Sequence, residues 1–445
     1  MKVVRMLGGV TLAAWMCFAQ TDPGPRGGPA GAGGPIAGLT AGEKAFFLNQ
    51  ATATFAEVEA VADGLGPRFN LDSCGGCHAF PALGGSSPAT NPQVARAAAM
   101  APGNAVPSFL SGNGPIREAR FVKNPDGTPD GGVHGIFTIS GRPDKPSGCS
   151  IQQPNFSSQV QNNNVIFRIP TPTFGTGLIE AITDTTIRNN VASDPFGMKA
   201  RLGITGRVNT NGNDGTVTRF GWKAQNKSLL IFSGEAYNVE MGVTNENFPN
   251  EREEDARCAT NGTPESDTGF NVGSTTASDI VAFMMFMKCL DQPAPVTSYG
   301  KVSTNSINNG RLLFTTTGCA LCHTPTLTTG TSSSAALSNV KANLYSDLAL
   351  HNMGSNLADG VSQGGAGPTE FRTAPLWGLG QRLFLLHDGR TSDLMQAIKA
   401  HASCSQAPTT TSSGCMPSEA NQVIGLFNQL SNSQTQDLLN FLRSL

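Results

Sequence analysis

The sequence predicts a mainly α-helical fold of two units built on one plan, with long loops and a β-containing insertion in the first unit. Three observations predict it. A helical stretch followed by Cys-x-x-Cys-His occurs twice, ending at His78 and at His323. Between about 120 and 235 the pattern changes to short β-like runs, such as Gly135-Ile-Phe-Thr-Ile139 and Val165-Ile-Phe-Arg-Ile169, separated by Gly, Pro and Asn clusters with little helix. Finally, 38% hydrophobic and 14% charged residues, with 52 Gly and 28 Pro among 445, describe a globular chain rich in loops rather than a disordered one.

Taken in order, residues 1–19 read as a secretory signal: Lys2 and Arg5 precede an apolar run from Met6 to Phe18, with Ala19 at the cleavage point. That run is about 13 residues, short of the roughly 20 that span a bilayer, so no membrane span is expected in the mature chain. Residues 20–39 are Gly/Pro/Ala-rich, carry no apolar set to bury and are expected to be a disordered leader. The first unit, 40–295, starts with Thr40 and Glu43 at capping-box spacing, then Phe46, Phe47, Phe55 and Val58 on a helix running to Gly64. Ser278 to Leu290 is apolar nearly all round and should be a buried helix. Asp291-Gln-Pro-Ala-Pro295 reads as a linker to the second unit, 296–445, which opens with a helix from Ser306 to Thr317 and closes on an amphipathic helix carrying Leu438, Leu439, Phe441, Leu442 and Leu445.

The chemistry lies in the two repeated motifs. Cys74-Gly-Gly-Cys77-His78 and Cys319-Ala-Leu-Cys322-His323 match the attachment pattern of c-type haem, in which two thiols form thioethers and the following His ligates iron. With 10 Cys and 6 His in the chain, chance would give roughly 0.003 such patterns, so two are not accidental. Two covalently bound c-type haems are therefore expected, which requires export to the periplasm or beyond. Of the other histidines, His401 lies on one helical face with Leu394 and Ile398 and should point into the core, either as an iron ligand or as a buried structural residue. Met353, Met395 and Met241 are alternative sulfur ligands, and His134 or His351 could close the first iron.

With Cys17 removed in the signal segment, the five remaining cysteines are 149, 258, 289, 404 and 415. Cys404 with Cys415 and Cys258 with Cys289 are the expected pairs, leaving Cys149 odd. The acidic run Glu251-Arg-Glu-Glu-Asp255 reads as a solvated loop, with a Ca2+ site as its alternative reading. The formal charge of −2 and the lack of any Lys/Arg-rich run argue against a nucleic-acid partner.

Further segments carry a resemblance. Arg372-Thr-Ala-Pro-Leu-Trp-Gly-Leu-Gly380, Phe384-Leu-Leu-His-Asp-Gly-Arg390, Gly64-Leu-Gly-Pro-Arg-Phe-Asn70, Arg168 to Ile182 and Tyr345 to Gly354, together with the two haem motifs, resemble the bacterial di-haem oxidoreductases of the peroxidase or thiol oxidoreductase group. These are distantly similar to the di-haem cytochrome c peroxidases and to the methylamine dehydrogenase maturation enzyme. The likeness spans residues 40–445 and implies two cytochrome c-like haem domains. It further implies that Trp222, in Phe220-Gly-Trp-Lys, is an electron relay between the haems, and that Glu240, in Asn238-Val-Glu-Met-Gly242, is the acid/base group for peroxide cleavage. His401 falls where relatives carry a Met or Tyr ligand to the second iron. Phe232 stands where the peroxidases place a Gln, and Ala-Ser-Cys404 stands where the family usually continues with Gly-Gly-Glu. The implied activity is peroxide reduction at the first haem with electrons from the second, supplied by a small redox protein such as a cytochrome c or cupredoxin. The competing readings are a bis-His electron carrier and a dioxygen-using di-haem oxygenase.

Overall fold

A computed structural model describes residues 21–251, 255–266, 277–404 and 414–445. The expected signal segment lies outside the described residues, as does most of the acidic run that could have held Ca2+.

Thr40 caps the first helix as predicted. Its hydroxyl accepts from the Glu43 amide at 3.2 Å, and the Glu43 carboxylate accepts from the Thr40 amide at 2.8 Å. Ala41–Phe46 continues through a wider turn, Phe47–Ala51, into Thr52–Ala56. The helix stops there, eight residues short of Gly64, because Glu57 turns extended, and Val58 is left 57% exposed. Gly64 instead ends a short 3-10 turn, Val61–Asp63, in the left-handed conformation at φ 106°.

Phe47 and Phe55 stack on Phe286 with ring centroids 5.5 and 4.2 Å apart. Phe286 belongs to the buried helix Asp279–Cys289, which begins after Ser278, close to the expected place, without a side-chain bond from that serine. The helix Leu229–Met241 packs against it through Tyr237 and Phe283, 5.0 Å apart.

The β-like runs form small sheets. Glu118–Phe121 is the central strand of an antiparallel three, flanked by Val133–His134 and Val165–Arg168. Gly135–Ile139 supplies only Phe137–Thr138, paired with Arg68–Phe69. The stretch from 120 to 235 holds more helix than its composition predicts: Phe156–Gln161, Thr176–Ala181, Asp184–Ala192 and Met198–Leu202. These helices are too short to show a periodic face, and two of them start on side-chain caps, from Asn155 and Thr183, that are cheap for a polar loop to provide.

At the other end, Thr304–Thr316 packs on Asn432–Leu442, with Ile307, Phe314, Leu438, Leu439, Phe441 and Leu442 in a second core. The boundary between the cores does not follow the Pro-rich 291–295 segment. Leu327, Leu337, Leu344, Leu348 and Trp377, all beyond it, pack into the first core.

Two expectations need correction. The Gly/Pro segment taken as disordered lies against the body as an extended strap. The Arg26 amide donates to Gly380 O at 2.7 Å, the Ile36 amide to Cys289 O at 2.8 Å, and Asp22 forms an ion pair with Arg443 at 2.6 Å. Backbone groups, the Asp22 carboxylate and the side chain of Ile36, buried in the first core, make the attachment. Second, Cys258 pairs with Cys149, at a Cα separation of 4.7 Å, and Cys289 is a buried free thiol. Proximity in sequence had suggested Cys289, but that residue sits on the buried helix. The Cys404–Cys415 pair forms as expected. Among the described residues no helix is long and apolar enough to cross a membrane.

Candidate functional site

Each Cys-x-x-Cys-His motif opens onto its own cavity. In the first, Ser73 caps the turn Cys74–Cys77 by accepting from the Gly76 amide at 3.3 Å. Side chains at the two intervening glycines would not fit, since a Cβ at Gly75 would meet Leu83 at 2.9 Å and one at Gly76 would meet Leu71 at 2.6 Å. The turn therefore lies flat against its neighbours, and Cys74, Cys77 and His78 line a void of about 1150 Å³, mouth included, with Phe55, Phe283 and Glu240. In the second, Cys319–Leu321 forms a 3-10 turn, and Cys319, Cys322 and His323 line a void of about 1440 Å³ with Phe314, Leu394 and His401.

Three histidines share one arrangement. Nδ1 of His78 lies 3.0 Å from Gly85 O, Nδ1 of His323 3.0 Å from Tyr345 O, and Nδ1 of His401 2.8 Å from Ala397 O. A carbonyl can only accept, so each Nδ1 carries the proton and Nε2 is left for a metal. Burial pushes all three rings toward the neutral form, His323 down to about 4 with the positive charge of His401 adding to the effect. His401 thus stands in the second cavity with His323.

The other candidate ligands fall elsewhere. His134 stacks on Phe121, 3.7 Å between centroids, with Nε2 2.9 Å from Asp130, and is not part of the first cavity wall. His351 lines the second cavity, not the first, and both ring nitrogens face carboxylates: Asp347 at 3.0 Å and Glu419 at 2.8 Å. Neither therefore stands in the cavity of the first Cys motif. His387, stacked on Phe371 at 4.4 Å, and Met353 also line the second cavity, whereas Met395 does not. Met241 lies in the first, its Sδ 3.8 Å from Cys74 Sγ.

The first cavity carries a wall built on Glu240, whereas the polar groups of the second are His351, Glu419, Arg372 and Arg382. Glu240, on the last turn of Leu229–Met241, accepts from Asn70 Nδ2 at 2.7 Å, and its backbone carbonyl accepts from the Asn70 amide at 2.7 Å. Burial pushes its carboxyl well above the ordinary range, and the negative charge of Glu118 pushes it further. Sequence reasoning missed Glu118, Arg120 and Gln93, which line the same wall. Alternation along Glu118-Ala-Arg-Phe121 could have placed Glu118 and Arg120 on one face, but nothing in the sequence placed that face at the first Cys motif.

Trp222 borders both cavities. Its indole Nε1 donates to Ile169 O at 3.0 Å, and its carbonyl accepts from the Arg372 amide at 2.9 Å, which fixes the ring between them.

The donor set fits haem. Two thiols and an imidazole converge on each of two apolar voids. At the second, Arg372 is buried and Arg382 half-buried, both are drawn down to about 10 by desolvation, and neither has a carboxylate partner among the described residues. Desolvated guanidiniums without a carboxylate partner require an anion, and the two carboxylate side chains of a haem are of that kind. In the sequence these two arginines were quoted within or beside the resembling segment, without a role.

The family described as "Di-haem oxidoreductase, putative peroxidase" matches residues 118–430, and the chain belongs to it. The matched region contains Trp222, Glu240, the second Cys motif and His401 and begins after the first motif. Membership implies haem as the cofactor and oxidoreductase activity. No curated protein matches the chain. Among solved structures it is similar to Kuenenia stuttgartiensis hydrazine synthase, determined under xenon pressure, at 16% identity and a TM-score of 0.23, over 38% of this chain and 57% of that one.

Proposed function

We propose that this is an exported di-haem oxidoreductase that reduces peroxide at the first cavity, with c-type haems attached at Cys74/Cys77 and Cys319/Cys322 and ligated by His78 and His323. At the second cavity His401 would hold the haem together with His323; the electrons would come from a small donor such as a cytochrome c or cupredoxin, and Trp222, which borders both cavities, would relay them. The reading rests on one observation, the asymmetry of the two cavities. The second gathers three histidines that burial pushes toward the neutral form, His323, His387 and His401, two of which hold Nδ1 on a carbonyl and leave Nε2 for a metal; the first has one such histidine, His78, and a wall of Glu240, Asn70, Gln93 and Arg120. Bound haem supplies the iron at which oxygen chemistry occurs and the redox equivalents for it.

The residues of the first cavity do the rest. Glu240, pushed toward its protonated form by burial and by the charge of Glu118, is the group of this wall that can give a proton to a substrate oxygen. Asn70 fixes the carboxyl through one oxygen. Arg120 adds a fixed positive charge to the same wall, and Phe55, Phe232 and Phe283 exclude bulk water.

Electron paramagnetic resonance of the oxidised holoprotein tests the arrangement. One high-spin and one low-spin ferric signal are expected, with the high-spin signal lost on adding peroxide; two low-spin signals indifferent to peroxide, before and after partial reduction, would overturn it. Glu240→Gln should lower peroxide turnover by about 10²- to 10⁴-fold, and unchanged turnover would remove Glu240 from the mechanism.

A further inference from the structure

We propose that Glu118 is the positioning residue of the first cavity: its carboxylate, clamped by Arg120, shares a single proton with Glu240 and keeps that proton on Glu240. The inference deepens the peroxidase reading and rests on it only for the use to which the proton is put.

The geometry begins with strand alternation. Along Glu118–Phe121, Ala119 and Phe121 turn into the hydrophobic core, so Glu118 and Arg120 share the opposite face, which is the cavity wall. Arg168 is the residue directly across from Glu118 on the neighbouring strand and presents its side chain to the same wall. Its guanidinium is already committed to Asp359, at 2.7 Å, so it acts on Glu118 only at longer range. Arg120 is the direct partner. Its Nε donates to a carboxylate oxygen of Glu118, and its Nη1 donates to Gly131 O at 2.8 Å, which fixes the fork.

Glu240 approaches the same carboxylate from the helix Leu229–Met241, and the two carboxyls are hydrogen-bonded to each other. Two carboxylates cannot form that bond; one of the pair must carry a proton. The partners decide which. Glu118 has a charged guanidinium bonded to it, whereas the closest polar partner of Glu240 is the neutral amide of Asn70. The ionised form belongs to Glu118 and the proton to Glu240. Asn70 cannot rotate to compete, since its Oδ1 accepts from the Ile136 amide at 2.9 Å. The remaining groups that face the pair are Glu235 one turn earlier on the helix, and Asp72, Cys74, Cys77 and His78 on the segment of the first motif. Glu235 is held by Asn226 and Asp72 by Arg96 and Arg142, so neither competes for the proton.

The arrangement belongs to the class in which like-charged carboxyls too close to ionise together titrate as a pair. Glu118 contributes the negative charge that holds the proton, and Arg120 prevents that charge from being neutralised in turn. No bond to substrate is assigned to Glu118.

Infrared spectroscopy of the holoprotein as a function of pH reads this directly, through the C=O band of a protonated carboxylic acid. At neutral pH such a band should be present in the wild type and lost in Glu240→Gln. In Glu118→Gln its midpoint should move to lower pH by about one unit or more, a tenfold or larger loss of proton affinity. Glu118→Asp, which keeps the charge but withdraws it by one methylene, should shift the midpoint in the same direction and provides the reading if the Gln variant does not fold. A midpoint unmoved in a folded Glu118 variant, or a wild type with no band that depends on Glu240, overturns the proposal. The test separates the two readings. A shifted midpoint with full peroxide turnover in Glu240→Gln would leave the shared proton standing and remove the peroxidase step. Inactive Glu240→Gln with an unmoved midpoint in the Glu118 variants would do the reverse.

Discussion

His351 is held by two carboxylates at once, and its pH behaviour follows from that. Glu419 faces it at 2.8 Å, and despite the opposing effect of burial its carboxyl is drawn down to about 2, by hydrogen bonding to His351, by its positive charge and by the amides of Asn352 and Gly206. A carboxyl whose folded value lies below its unfolded value near 4.5 contributes stability that is fully present above about 4.5 and is lost as pH falls toward about 2. His351 has the opposite sign. Desolvation alone would lower it, but Asp347 and Glu419 help raise it well above 6.5, so its contribution is complete below about 6.5 and fades only as pH rises through the folded value. Acid unfolding followed by circular dichroism should therefore show a loss of stability between about pH 4.5 and 2 in the wild type. Glu419→Gln should be less stable at pH 7 and should lack that part of the acid limb; an identical acid limb would show that the pair does not couple to folding. Residue-level chemistry of this kind was only partly legible in the sequence. The haem-attachment residues could be read because five adjacent positions carry the pattern, and His401 because helical spacing turned it inward. Glu118 and His351 could not be placed, since their roles depend on carboxylate partners 122 and 68 residues away.

Among the elements, the first helix of the second core was predicted from Ser306 to Thr317 and runs Thr304–Thr316 behind its Ser303 cap, while the closing amphipathic helix, predicted without bounds, runs Asn432–Leu442 behind Ser431. How closely they approach was not predicted. Gly310 sits where a Cβ would come within 2.0 Å of Asp437 O and 2.6 Å of Phe441 Cβ, so the absence of a side chain sets the distance between the two helices. A glycine within a helix ordinarily costs about 1 kcal/mol against alanine, and here the clash outweighs that gain. Gly310→Val should force the helices apart and destabilise the protein by at least about 1–3 kcal/mol, the usual range for overpacking, read as a lower midpoint in denaturant. Because Phe314 on one helix and Leu438 and Leu442 on the other line the second cavity, the same substitution should perturb the absorption of the haem held there. A variant as stable as the wild type would show that the two helices have room to slide. Strands were less legible than helices. Those of the 120–235 region have two to four residues, too few for alternation to distinguish a sheet from a loop, and their partners come from distant segments.

At the scale of the whole molecule, the strap from Asp22 to Gly38 joins elements that are far apart in the chain. Composition described it as a segment with nothing to bury, yet Ile36 enters the first core and Arg26 is buried; the rest of its attachment is made by main-chain hydrogen bonds and by Asp22, which no periodicity signals. Arg443 is fully buried, and Asp22 meets it with both oxygens, at 2.9 Å to Nε and 2.6 Å to Nη2. The same carboxylate accepts from the Leu394 amide at 2.7 Å, at the start of Leu394–Ala400, the helix that ends at His401. One residue of the strap thus ties the last helix of the chain to the helix that positions the second candidate iron ligand. Removing one partner of a buried ion pair leaves the other charge uncompensated, at a cost of about 3–5 kcal/mol. Asp22→Ala should therefore lower the unfolding midpoint by an amount within that range. It should also act on the two cavities unequally. The second would lose the anchor of its His401 helix, so its ferric low-spin signal should broaden or partly convert to high-spin. The first, whose wall is built from Asn70, Glu118 and Glu240, has no contact with Asp22 and should keep its signal. Equal perturbation of both signals would mean that Asp22 acts only through global stability, and no change in either would mean that the strap is not fastened to the second site in solution.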